Sequence, residues 1–379
     1  MMNNKANLPA LYVHIPFCDK VCTYCDFYKM SAKTEKKAEY VRYIVQEIEL
    51  KKNMFKDIET VYIGGGTPSA LPLESLDLLL TTLWKYLDSK KVIEFTTEAN
   101  PNHINQEYIN VLKKHHINRI SLGVQSFDEN KLKFLGRLHT KEEAINSIKL
   151  LQDNALNNVS IDLIYAIPND SYKSVKKDLK IIKKLKINHV SAYSLILEEK
   201  TILNYLHEKG KFKMLDEDAE FNIYKKLNRY LHRLGLNQYE VSNYAKVNFQ
   251  GKHNLQYWNN YHYLGIGAGA SYYIDNIRYT NVMNLEKYYE GIRNKKLNYS
   301  EEIIVSKIEQ MQEEMLMGLR KTIGVNIVSF KQKFNEDLFS TFPFINDLIA
   351  QKLLEVKNNN IYIPKKKLYL SNSILIHFV

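Results

Sequence analysis

LYVHIPFCDKVCTYCDF, residues 11–27, sets a short apolar run against a loop that holds every cysteine of the 379-residue chain. LYVHI (11–15) has the length and residue types of a buried strand, and Cys18, Cys22 and Cys25 follow it in C-x3-C-x2-C spacing. The same order recurs downstream: TVYIGGG (60–66), VIEFTTEA (92–99), RISLGVQ (119–125), VSIDLIYAI (159–167) and HVSAYSLI (189–196) are further strand-like runs. Between them lie helical patterns such as TEKKAEYVRYIVQEIELKK, LESLDLLLTTLWKYL, KEEAINSIKLLQD and SYKSVKKDLKIIKKL. Strands alternating with helices predict βα units on a parallel sheet. Six units are too few for a closed eight-stranded barrel, so the expected fold is α/β, a partial (β/α)6 TIM-like barrel. HIPFC, GGGTP, TEANP, GVQSF and the end of the Asp162 strand are polar or glycine-rich segments at the carboxyl ends of these strands. Parallel α/β sheets bind ligands along that edge, and the cysteine loop is expected to share one pocket with the others.

Three segments are expected. Residues 1–235 form the core, and residues 236–298 an extension containing NQYEVSNYAK and KHNLQYWNNYHYLGIGAGASYYI. Residues 299–379 are read as a small α+β, winged-helix-like domain that ends in a helix near 344–354 and two strands, NIYIP and LYLSN. The net charge is +11, but its lysines are scattered over KKNMFK, KKDLKIIKKLK and IPKKKLYL and read as solvated helix faces and turns. Residues 320–340 hold no concentrated arginine stripe and no RNA-binding motif is present, so no nucleic-acid partner is expected. An RNA-directed enzyme ranks last among the function classes, and peripheral contact with an anionic membrane stays open. No run approaches the ~18 apolar residues that span a bilayer, and MMNNKANLPALYVHIPF lacks the features of a secretory signal. Three thiols that cannot all pair suit a reducing compartment, so a cytoplasmic location is expected.

The thiols allow several uses. An odd count disfavours disulfides, a closed zinc site would need a fourth ligand from histidine, and a catalytic thiol needs no two neighbours at this spacing. An iron–sulfur cluster is left: three thiolates hold three corners of a [4Fe–4S] cube and leave one iron open. Gly64-Gly65-Gly66-Thr67-Pro68 would let a ligand approach the backbone closely. Glu98, Gln125, Arg137 and Asp162 lie at comparable strand ends, though each alone is more often a structural polar residue.

Cys18, Cys22, Tyr24 and Cys25 resemble the hallmark of the radical S-adenosylmethionine (SAM) superfamily, in which an aromatic residue precedes the third cysteine. The resemblance implies that SAM chelates the fourth iron and is cleaved by one electron to methionine and a 5′-deoxyadenosyl radical, with an electron donor such as flavodoxin or ferredoxin. YVHIPFC, GGGTPS, GVQSF and DLIYAIP resemble one branch, the oxygen-independent coproporphyrinogen III oxidases and their relatives, over nearly the whole chain. That implies SAM contacts at Tyr12, Tyr24, Gly65, Gly66, Thr67, Glu98, Gln125, Arg137 and Asp162. The true oxidases of this branch carry a further cysteine two positions after the third, where this chain has Phe27. Phenylalanine there is similar to the HemW-type heme chaperones, whose H-N-x-x-Y-W motif is matched by His253, Asn254, Tyr257 and Trp258. A neutral imidazole is a usual axial ligand of heme iron, and aromatic rings suit a flat apolar macrocycle. Many relatives have a cysteine two positions before this histidine; Gly251 stands there, which excludes thiol attachment at that point. The expectation is a protein that binds heme and passes it to an acceptor protein, with a SAM-ligated cluster. The alternative is a coproporphyrinogen III oxidase.

Overall fold

Six parallel strands form in the expected places: β1 (Ala10–Ile15), β2 (Thr60–Gly65), β3 (Glu94–Ala99), β4 (Arg119–Gln125), β5 (Val159–Tyr165) and β6 (His189–Ser194), hydrogen-bonded in that order. The structure, a computed structural model, describes residues 9–379. Residues 1–8, where the expected core begins and where no secretory signal is expected, lie outside the described residues. Side chains alternate along each strand. Leu11, Val13, Ile15, Val61, Ile63 and Phe95 pack outward against Tyr40, Ile44 and Ile48 of helix Thr34–Lys51 and Leu76, Leu79, Leu80 and Leu83 of helix Leu73–Trp84, in one continuous core. The opposite parity points into the half-barrel and is polar: Tyr62, Glu98, Ser121, Asp162 and Ser191. Several helices start where their sequences supply caps. Thr140 and Glu143 form a capping box at helix Lys141–Asp153, and Ser306 and Glu309 another at helix Lys307–Gly318, each satisfying amide donors that the first turn leaves open.

The sheet continues past both ends of the core. β7 (Asn237–Gln238) and β8 (Asn243–Ala245) add antiparallel strands beside β6, while β9 (Tyr263–Ile266) lies parallel to β1. β10 (Ser271–Ile274), β11 (Ile277–Asn281) and β12 (Tyr299–Ile304) extend the β9 side. The result is twelve strands in the order β12-β11-β10-β9-β1-β2-β3-β4-β5-β6-β8-β7, an open, partial barrel.

After residue 304 a second core gathers Met311, Met315, Leu319, Phe330, Phe334, Leu348 and Ile361. Its helices (Lys307–Gly318, Ile327–Phe334, Ile345–Ala350) pack on three antiparallel strands, β13 (Val325–Asn326), β14 (Glu355–Lys357) and β15 (Asn360–Tyr362). Here one expectation fails. LYLSN is no strand: Lys365–Leu370 is a 3-10 turn running into helix Ser371–Leu375, because Leu368, Leu375 and Phe378 bury at helical spacing. NIY pairs instead with Val325–Asn326 and with the exposed EVK, the latter reached through Asn358 and Asn359. Both hold positive φ, 50° and 59°, as a two-residue type I′ hairpin turn requires and asparagine tolerates.

Candidate functional site

A cavity of about 460 Å³ opens at the carboxyl ends of the core strands. Cys18, Cys22, Cys25, Tyr24, Gly65, Gly66, Thr67, Glu98, Gln125, Arg137 and Asp162 all line it, as does Asn254. Four expected residues do not: Tyr12, whose hydroxyl lies 2.9 Å from His14 Nδ1, and His253, Tyr257 and Trp258, described below.

The cysteine loop is held at several points. Cys18 N–H donates to Met30 O (3.0 Å), Thr23 N–H to Leu135 O (3.2 Å), and the Thr23 hydroxyl to Phe134 O (3.0 Å). Asp19 accepts from Lys37 Nζ at 3.0 Å and lies 2.7 Å from His103 Nε2, whose Nδ1 is 2.8 Å from Ser69 Oγ. That relay ties the cysteine loop to the GGGTPS and TEANPNH loops. Gly66 allows the close approach, since a Cβ there would sit 2.9 Å from Phe17 N, Phe17 O and Pro16 C. At Gly65, φ is +116° and a Cβ would meet the His14 ring, so only glycine suits it.

Burial pushes the Cys18 thiol up to about 11 and also raises Cys25, while the Thr67 hydroxyl (3.5 Å) and, more weakly, Arg137 pull Cys18 back. Arg137 Nη1 donates to Cys22 Sγ at 3.3 Å, and its Nη2 to Asn100 Oδ1 (2.5 Å) and Gly123 O (2.6 Å). Hydrogen bonds and a guanidinium aimed at sulfur are what thiolates bound to a metal centre need. Among the described residues no three His, Cys, Asp or Glu side chains converge on a single ion. The three thiols line one cavity.

Glu98 accepts from the Tyr62 hydroxyl (2.7 Å) and Gly65 N–H (3.2 Å). Burial lifts its carboxyl to about 7 despite the Tyr62 bond, with Asp162 adding repulsion. Asp162 is likewise raised by burial, to about 6, against pulls from Ser191, Arg119, Ser121 and Arg137. Gln125 ends β4 at φ 65°, after a register shift between Leu122 and Gln125. A non-glycine residue in the left-handed region is a strained position of the kind found in ligand clamps.

The H-N-x-x-Y-W segment is the short helix Lys252–Trp258, whose Lys252 and His253 N–H groups donate to Glu94 Oε2 (2.8 Å) and Oε1 (2.9 Å). His253 is 1% exposed. Its Nδ1 lies 3.0 Å from Thr60 Oγ1 and its Nε2 3.0 Å from Tyr257 Oη, and its ring stacks on Tyr62 at 5.3 Å. Burial lowers it to about 3, so the imidazole is neutral with both nitrogens engaged. In place of an open axial ligand, the structure has His253 packed into the floor of the half-barrel. Tyr62 links that floor to Glu98. Trp258 lies under the Arg320 guanidinium, 5.5 Å from its ring, and its indole N–H is buried without a partner.

Sequence reasoning missed Arg119, Tyr62, Asn100 and Ser191, all in the cavity lining. Tyr62 sits two residues before Gly64 on the same face of β2, and Asn100 two residues after Glu98, just past the end of β3. That parity was the available signal.

The profile of the radical SAM superfamily matches residues 12–182, and that of the HemN C-terminal domain matches residues 305–369. The structure resembles that of coproporphyrinogen III oxidase (HemN) from Escherichia coli, with a TM-score of 0.85, 20% identity, and coverage of 98% of this chain and 90% of that one. Fold and thiol loop together define the class, a radical SAM protein with a HemN-type C-terminal domain. A protein named heme chaperone HemW from Lactococcus lactis is 39% identical over 371 residues, 97% of this chain and 96% of that relative. One of the same name from Bacillus subtilis is 34% identical over 98% of this chain and 99% of its own length. The chain belongs to the HemW family. Membership of the superfamily implies a [4Fe–4S] cluster and SAM, and the donor set around the three thiols fits them. No helix among the described residues is long and apolar enough to cross a membrane.

Proposed function

We propose that this protein binds heme and hands it to an acceptor protein, and that Cys18, Cys22 and Cys25 hold a [4Fe–4S] cluster whose open iron takes SAM. The observation that carries the reading is likeness over almost the full length to relatives named heme chaperones. Phe27 supports it: 65% exposed at the cavity mouth, it leaves no fourth thiol where an oxidase would have one.

When bound, cluster and SAM supply one-electron chemistry; the chain's residues hold and orient them. Arg137 and Thr67 would stabilise charge on the cluster thiolates. Gly65 and Gly66 would let the backbone approach SAM, with Tyr24 and Gln125 beside it. Glu98 and Asp162 would accept from its ammonium or ribose groups, and both gain anionic character near neutral pH. For heme, Asn254 faces the cavity directly; His253, with Nε2 now held by the Tyr257 hydroxyl, would supply an imidazole to the iron if released, and Trp258 would add an aromatic face. The heme acceptor, a flavodoxin or ferredoxin as electron donor, a membrane contact and a cytoplasmic location stay part of the proposal.

Hemin titration of the anaerobically reconstituted protein, run beside incubation with SAM, reductant and coproporphyrinogen III, is the test. A Soret shift with no protoporphyrinogen is expected. Protoporphyrinogen formed at enzymatic turnover would establish the oxidase reading instead.

A further inference from the structure

Arg119 opens β4 opposite Thr96 of β3 and is 4% exposed. A buried guanidinium ordinarily has a carboxylate or several acceptors, because an unpaired buried charge is expensive. Arg137 has three partners and Arg278 pairs with Glu313 at 2.9 Å. Among the described residues Arg119 has no side-chain hydrogen bond and no carboxylate within 4.0 Å, and its Nε is buried with nothing to donate to.

Its surroundings do not repair this. Tyr239 Oη is committed to His189 Nε2 (2.8 Å) and to Gly251 N–H (3.0 Å). His189 and His253 are held neutral by burial, helped by the charge of Arg119 itself. Asp162 feels the charge of Arg119 but makes no ion pair with it, bonding Ser121 at 3.3 Å instead. Arg119 itself lines the cavity. Asn254, on the helix beside it, also lines the cavity and has no side-chain partner. A guanidinium and a primary amide thus face one cavity with their N–H groups unspent. At the other end the mouth carries Phe27 (65% exposed), Ile196 (62%) and Leu195. Apolar side chains thus stand among the charged Lys20, Asp26, Lys29 and Glu198 in the same lining, and the unpaired guanidinium lies at its far end.

We propose that Arg119 and Asn254 form a carboxylate-binding floor in the bore of the half-barrel. On the heme reading above, on which this rests, the floor receives one propionate of the tetrapyrrole. A guanidinium fork with an adjacent amide N–H is matched to a planar carboxylate. The methionine carboxylate of SAM has the same chemistry, so the test separates the two sources.

Cluster-loaded wild type, Arg119→Gln, Arg119→Lys and Asn254→Ala are titrated anaerobically with hemin, with hemin dimethyl ester and with SAM. A charge-assisted carboxylate bond is worth about 1.5–3 kcal/mol, so wild type should prefer hemin over its diester by roughly tenfold or more. R119Q should bind both alike and keep SAM affinity within about twofold, R119K should retain part of the preference, and N254A should lower it. Retained cluster absorbance shows that a variant is folded. If R119Q keeps the preference, or loses SAM instead, the floor is refuted. Equal wild-type binding of hemin and diester also refutes it and leaves the heme reading standing. Binding of neither overturns both.

Discussion

Replacing Glu98 with glutamine should make the ligand-free protein more stable at pH 8 while weakening its hold on SAM. The carboxyl sits at about 7 in the fold against an ordinary 4.5, chiefly because it is buried. The folded protein therefore holds this proton more tightly than the unfolded chain. The resulting stabilisation is complete below about pH 4.5 and is lost as pH rises through 7. The gap corresponds to roughly 3 kcal/mol of unfavourable ionisation above pH 7, and water in the cavity reduces that to about 2 kcal/mol. Glutamine removes the ionisation and keeps the geometry: its carbonyl accepts from Gly65 N–H, and its amide donates to Tyr62 once that hydroxyl turns. Urea unfolding of both proteins between pH 5 and pH 8 measures the effect. Wild type should lose about 2 kcal/mol more than E98Q over that interval; the raised Glu240 carboxyl contributes to both proteins, and relief of the Glu98–Asp162 repulsion in E98Q acts in the same direction. SAM affinity of the cluster-loaded variant should fall at least about tenfold, as expected for loss of a charged acceptor. Parallel stability curves would show that Glu98 is not desolvated in the fold, and the trade between stability and binding would have no basis.

Cys22→Ala should abolish the brown cluster absorbance, and full retention of iron and sulfide would remove the cluster from these thiols. Gly66→Ala drives a Cβ into the backbone of Pro16 and Phe17, so it should cost about 1–3 kcal/mol and speed iron loss to a chelator. His253→Ala empties a packed site and strands Thr60 and Tyr257, at about 2–4 kcal/mol in unfolding experiments; unchanged stability would mean the ring is not buried. Tyr257→Phe frees His253 Nε2 without emptying the site, and hemin affinity should rise several-fold. Weaker binding would argue against that nitrogen as the iron contact.

The six core strands and the shared pocket were legible because each strand is a contiguous apolar run ending in a polar motif. The cysteine, glycine and Glu98 segments converge through strand parity alone, which a sequence displays. Burial across the chain is harder to read. His253 looks like an available imidazole, but Thr60 and Tyr62 of β2 take one nitrogen and one face of it, and that contact spans 193 residues. Arg119 reads as a polar strand start; only the fold shows that no side chain bonds it directly. LYLSN has strand-like residues whose helical burial depends on a second core, and EVK has no apolar face to announce a strand. The pairing of β9 with β1 leaves no local mark at all.

That last pairing bears on how the protein comes off the ribosome. β1 emerges first and finds β2 within some 50 residues, but its other edge pairs only with Tyr263–Ile266. At ~5–20 residues per second, the nascent chain spends roughly 10–50 s with a short apolar strand edge bare and the adjoining cysteine loop anchored on one side only. Edges of this kind recruit other strands. Newly made protein is thus most exposed to aggregation, and its thiols to stray metals and oxidants, before the last third of the chain has been translated.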